Sequence, residues 1–199
     1  MLFLYRTLIN ILLLFSPLIF IYRIFKKKED PKRFLEKLGV SSKGFNKNSL
    51  IWFHVSSVGE LLSIVPMIEK IEKKKKNFKI LVTSNTLSSA KIFKKYKFKK
   101  TLHQFFPIDS NIIIRRFLNN WKPNIAIFVE SEIWPNMILE VKRRKIPLVL
   151  LNARITKKTF NKWMRLGVFC RFIFEKFDIC LSQNNDTKNF LKKLGSKKI

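Results

Sequence analysis

The chain has 199 residues, enough for one core or one domain plus an anchor, and too few for two domains of ordinary size. Its 41 Lys and Arg against 13 Asp and Glu give a formal charge of +28, which predicts attraction to an anionic partner such as nucleic acid, a membrane or a phosphorylated substrate, although biased base content also enriches Lys. Lone Cys170 and Cys180, with only His54 and His103 beside them, exclude a C-x-x-C or His-based metal framework and fit a reducing compartment.

The first element is apolar. Thr7 to Tyr22 are sixteen residues interrupted only by Thr7, Asn10, Ser16 and Pro17. A helix of that length reaches roughly 24 Å, short of the roughly 30 Å hydrocarbon core of a bilayer. Snorkelling by Arg6 and Arg23, with Phe3, Tyr5, Tyr22 and Phe25 as interfacial neighbours, extends that reach. Lys26, Lys27 and Lys28 follow the apolar stretch, which argues against a cleaved signal peptide and places the following domain on the cytoplasmic side. Residues 1–28 are therefore expected to be a membrane anchor, with a buried or interfacial amphipathic helix as the alternative. Gly39 to Ser49 reads as a linker.

Beyond the anchor, strand-like runs alternate with helix-like stretches. The strands are expected at Leu50–Val55, Lys79–Thr83, Leu102–Phe106, Ile125–Val129, Pro147–Leu151 and Asp178–Ser182. The helices are expected at Leu61–Ile71, Ser88–Tyr96, Ile112–Asn120, Pro135–Arg144, Lys157–Lys176 and Thr187–Leu194, the last closed by Gly195. The run Lys73 to Lys76 suits a solvated helix end. Six such units predict an α/β domain over 29–199, a Rossmann-like parallel sheet with helices on both faces. Ligands of such sheets bind at the strands' carboxyl ends.

Two acidic turns sit at those ends. In Ser56-Ser57-Val58-Gly59-Glu60, Ser57 and Glu60 have the spacing of a capping box, a purely structural role. The functional alternative is that Gly59 admits a ligand close to the backbone while the helix N-terminus keeps Glu60 ionised as a general base. In Glu130-Ser131-Glu132-Ile133-Trp134-Pro135-Asn136, Glu130 directly follows a fully apolar strand, and Glu132 is either a ligand contact or a helix-dipole partner. Asn152-Ala153-Arg154 offers an amide and a bidentate cation, for a phosphate or carboxylate or for a salt bridge to Glu130 or Glu132. In Phe106-Pro107-Ile108-Asp109-Ser110, Asp109 or Ser110 is expected to cap the next helix.

Taken together, His54 to Glu60, Phe106 to Asp109, Glu130 to Asn136 and Asn152 to Arg154, with Glu36-Lys37-Leu38-Gly39 before them, resemble the 3-deoxy-D-manno-octulosonic acid (Kdo) transferases of lipopolysaccharide assembly. The resemblance covers nearly the whole chain. It implies the N-terminal, acceptor-binding half of a GT-B glycosyltransferase that moves Kdo from CMP-Kdo to lipid IVA at the cytoplasmic face of the inner membrane. By that resemblance Glu60 matches the catalytic general base and Glu130 the transition-state stabiliser, and Ser57, Gly59, Glu132, Asn152 and Arg154 are candidate substrate contacts. No cofactor and no metal is implied. The partners implied are lipid IVA and anionic membrane lipids, with no nucleic acid, and CMP-Kdo is bound through a second domain that these 199 residues do not contain. The chain alone is accordingly expected not to transfer Kdo. Ser89 stands where the family has a glycine. Two other classes compete: a noncatalytic membrane module that binds anionic lipid, and, on charge alone, a nucleic-acid-binding protein.

Overall fold

In the computed structural model, residues 1–41, 49–74 and 77–199 are described. Most of the expected linker, and Lys75 and Lys76 of the lysine run, lie outside them. Six parallel strands are the frame: β1 (Ser49–Val55), β2 (Phe78–Ser84), β3 (Thr101–Phe105), β4 (Ile125–Val129), β5 (Leu148–Ala153) and β6 (Ile179–Ser182). Their order is β3-β2-β1-β4-β5-β6, the doubly wound order whose strand sequence reverses between β1 and β4. In that register His54 lies beside Phe128 and Val55 beside Ser84, so the two acidic turns leave neighbouring strands.

Alternation along β1 divides its side chains between two cores. Leu50 and Trp52 join the larger one, built with α5 (Asn111–Trp121), α6 (Pro135–Arg143), α8 (Val168–Phe174) and α9 (Asn185–Leu194). Phe53 and Val55 face α3 (Val58–Lys74) and α4 (Leu87–Lys95) on the other side. Fully apolar central strands are what a sheet covered on both faces requires.

Two expected elements differ. Lys157–Lys176 is not one helix: α7 (Lys157–Met164) and α8 are separated at Gly167, whose φ of 54° interrupts the helical path. The apolar N-terminus is likewise two helices, α1 (Leu2–Leu14) and α2 (Ser16–Phe25), bent by 56° at Phe15, where Pro17 in the first turn of α2 removes a donor from a continuous ladder. Among the described residues no single helix is long and apolar enough to cross a membrane, and only this bent pair passes by length and composition. Tyr5 and Arg6, expected as interfacial anchors, turn inward to Asp109 and Asn136, and Arg23 pairs with buried Glu29 at 3.1 Å.

Candidate active site

At the end of β1 the chain turns into α3 through Ser56 and Ser57. The Ser57 hydroxyl accepts the N–H of Glu60, as a capping box requires. The return bond goes one residue further back than that motif prescribes: the Glu60 carboxylate accepts the N–H of Ser56 at 2.8 Å, and the Ser56 hydroxyl at 3.3 Å. Glu60 is 6% exposed. Burial raises its pKa above the usual carboxylate range, the Ser56 and Ser57 hydrogen bonds oppose that rise, and the charges of Glu132 and Glu130 add to it. Glu60 is thus a buried cap whose carboxyl group holds its proton more tightly than an ordinary glutamate. Gly59 is exposed, and a methyl group there would meet only the Ser57 hydroxyl, at 3.9 Å, so the protein itself leaves that face open.

The second turn stands opposite. Glu130 has φ 59° and Asn152 has φ 52°, so two adjacent strand ends each carry a non-glycine residue in the left-handed region. Such conformations cost of order 1–3 kcal/mol and cluster at functional sites. The backbone N–H of Glu130 bonds the Leu151 carbonyl at 2.9 Å, which ties the two strained ends together. Glu132 is held by two ring donors: Nε2 of His54 at 3.2 Å and Nε1 of Trp134 at 2.8 Å. Burial alone would raise its pKa, but these donors together bring it below the usual range.

His54 is fully buried and stacks on Phe106 with ring centroids 3.7 Å apart. Because an ionised Glu132 can only accept, Nε2 carries a proton, and Nδ1 lies 3.1 Å from the Thr83 hydroxyl and 3.3 Å from the Thr83 carbonyl. The Thr83 hydroxyl oxygen in turn accepts Nε1–H of Trp52 at 2.9 Å. A buried polar network thus links the core of β1 and β2 to the Glu132 carboxylate.

Arg154 does not join this group. It is exposed, pairs with neither Glu130 nor Glu132 among the described residues, and borders a separate depression of about 510 Å³ with Thr156, Lys157, Asn184 and Asp186. Asn152 is half-buried. Ser57 lies at the crevice rim and Ser89 is absorbed into the cap of α4, its hydroxyl 2.8 Å from that of Thr86. No group of three His, Cys, Asp or Glu side chains among the described residues is arranged to hold a metal ion.

The model of the 3-deoxy-D-manno-octulosonic-acid transferase (kdotransferase) family matches residues 32–199. The chain belongs to the Kdo transferase family. A 3-deoxy-D-manno-octulosonic acid transferase of Rickettsia felis is 43% identical over 143 residues, covering 71% of this chain and 31% of the relative. One from Rickettsia bellii is 36% identical over 178 residues, covering 89% of this chain and 42% of the relative. The chain thus spans between about a third and two-fifths of the length of these relatives. Among solved structures, a UDP-N-acetylglucosamine 2-epimerase from Rickettsia bellii has a TM-score of 0.52 at 15% identity, over 76% of this chain and 43% of that one, a likeness of fold alone.

Two features of this Kdo transferase family member escape sequence reasoning. Asp109 does not cap α5, the helix that follows it: its carboxylate accepts the N–H groups of Asn136 and Met137, capping α6 across 27 residues of chain. Ser110 occupies the N-cap position of α5 without a side-chain cap bond. His54, too isolated for a metal site, is one of the two ring donors that fix Glu132, and its signal in the sequence is a polar residue on the buried face shared with Trp52.

Proposed function

We propose that the chain is the acceptor-binding half of a Kdo transferase that moves Kdo from CMP-Kdo to lipid IVA. The observation that carries this reading is the buried Glu60 carboxylate, its pKa raised and its position fixed by Ser56 and Ser57, beside an open glycine face at the strand-order reversal. Glu60 takes the proton of the acceptor sugar hydroxyl as that oxygen bonds the anomeric carbon of Kdo, and the bond from that carbon to the CMP phosphate breaks. Glu130 faces the oxocarbenium charge that develops in between. The nucleotide is held by a second domain.

The α1–α2 pair turns Phe3, Leu4, Leu14 and Phe25 outward, with Lys26, Lys27 and Lys28 next to it. This apolar face with a basic border suits an anionic leaflet, so the crevice is carried at the cytoplasmic face of the inner membrane, where a bisphosphorylated glycolipid resides. Arg154 and Lys157, exposed near the N-termini of α7 and α9, are the cations available for its phosphates.

The test is binding of lipid IVA to the chain in detergent at physiological salt, with Glu60→Gln, Arg154→Ala and duplex DNA compared. Saturable lipid binding weakened by Arg154→Ala supports the reading. Lipid binding indifferent to both changes points instead to a noncatalytic anionic-lipid module, and equal or tighter DNA binding overturns the acceptor reading.

A further inference from the structure

The stripe of α1 that faces the domain is formed by Leu2, Tyr5, Arg6, Ile9 and Leu13, while Phe3, Leu4, Leu8 and Leu12 point away. A tether would need only the outward face. Tyr5 and Arg6 instead make directed contacts, one to each half of a buried clamp. The Tyr5 hydroxyl donates to Oδ2 of Asp109 at 2.7 Å, and Nε of Arg6 donates to Oδ1 of Asn136 at 3.0 Å. Asp109 and Asn136 are themselves locked together: Oδ2 of Asp109 accepts the Asn136 N–H at 3.0 Å, Oδ1 accepts the Met137 N–H at 2.8 Å, and Nδ2 of Asn136 donates to the Asp109 carbonyl at 2.7 Å. Both residues are almost fully buried.

This clamp sets where α6 begins, and so where the turn before it lies. Pro135 is the first residue of α6 and Trp134 its N-cap, and the Trp134 indole donates to Glu132. The loop that carries Asp109 reaches the same place by a second route. Its Phe106 ring lies 5.4 Å from Trp134 and 3.7 Å from His54, the other donor to Glu132. Position at Asp109 and Asn136 is therefore passed to the Glu132 carboxylate through one rigid proline and two ring contacts.

We propose that α1 is part of the catalytic scaffold: through Tyr5 and Arg6 it holds the Asp109–Asn136 clamp that positions Glu132, and with it the carboxylate crevice of Glu60 and Glu130. Tyr5, Arg6 and Asp109 are positioning residues. The phenol of Tyr5 is kept protonated by burial and by the neighbouring Asp109 charge, so it stays a donor. Engagement of α1 with its surroundings is thereby felt in the crevice, which a flexible tether would not allow. The inference rests on the crevice being the active site, and its test needs no substrate.

The chain contains two histidines, so every imidazole signal in a ¹H–¹⁵N spectrum belongs to one of two rings. His54 reports on Glu132. His103 is an internal control at the far edge of the sheet, held by Arg33 and Ser84 and kept neutral by burial and the nearby Arg33 and Lys94 charges, which push its pKa down to about 3. The experiment measures solvent exchange of the His54 Nε2–H in detergent micelles for wild type, Tyr5→Phe, Arg6→Met and the exposed control Tyr22→Phe. Losing a hydrogen bond to an ionised group changes a local opening constant on the order of tenfold, so Tyr5→Phe and Arg6→Met are each expected to speed that exchange by about this factor. His103 and Tyr22→Phe should stay at wild-type behaviour. Exchange within twofold of wild type in both inward-facing variants would overturn the proposal. Equal loosening of His54 and His103 would overturn it too, since α1 would then support the fold at large. Failure of lipid IVA binding would sink the proposed function and leave this result standing.

Discussion

Gly59→Ala separates what the fold needs from what a ligand needs. Gly59 is the second residue of α3, its φ is outside the left-handed region, and a Cβ would make one ordinary contact, 3.9 Å from the Ser57 hydroxyl. Alanine is favoured over glycine in a helix by roughly 0.5–1 kcal/mol. For a domain of this size each kcal/mol moves Tm by about 2–4 °C, so the variant is expected to melt about 1 to 4 °C higher than wild type. If the acceptor lies against this open face, the added methyl overlaps it, and overpacking of about 1–3 kcal/mol corresponds to roughly a 5- to 150-fold loss of affinity. The assay is a thermal melt and a lipid IVA titration on the same detergent preparation. A Tm lowered by more than about 2 °C would show that the fold requires the glycine, and the open-face argument would fail. Affinity unchanged within twofold would show that no acceptor touches Gly59.

The carboxylates should respond to pH in opposite senses. Burial raises the pKa of Glu60, so the folded chain binds its proton more tightly than the unfolded chain; the stability this supplies is full below the ordinary value of 4.5 and lost as pH rises through the folded value. Glu60→Gln removes that loss, and should leave the chain at least as stable as wild type at neutral pH in a denaturant titration. Glu132 is the reverse: its lowered pKa supplies stability above 4.5 that is lost as pH falls through the folded value. The His54 and Trp134 donors both converge on Oε2, so Glu132→Gln keeps one acceptor oxygen but removes its charge, and is expected to cost about 1–3 kcal/mol at neutral pH, seen as a lower denaturation midpoint. Gly39→Ala tests the fold away from the crevice: at φ 76°, its Cβ would sit 2.6 Å from the Ile113 carbonyl oxygen, and a loss of roughly 1–3 kcal/mol in chemical denaturation is expected.

Much of this was legible in order along the chain. The alternation of apolar runs and 3.6-residue patterns located all six strands, because central strands covered on both faces are predominantly apolar. Ser57 and Glu60 announced the start of α3, since capping acts within one turn. The same local reasoning failed where a competing signal was short or remote. Lys157–Lys176 reads as one helix because a single glycine is weak punctuation until its φ is known. The apolar N-terminus reads as an anchor or a buried or interfacial helix, and composition does not say which face is docked or that the helix bends at Phe15.

By itself the sequence determined the α/β class, the places of the acidic turns and the family pattern they carry, all of which depend on residues near one another in the chain. Only the tertiary structure decided that β1 lies beside β4, which brings Glu60 to Glu130 and Glu132. Only it decided that Asp109 caps α6, that His54 points at Glu132, and that Tyr5 closes the clamp from 104 residues away. The physical reason is common to all three. A hydrogen bond needs a partner within about 3 Å, and which partner arrives there is set by strand order and helix docking, which no periodicity in the chain encodes.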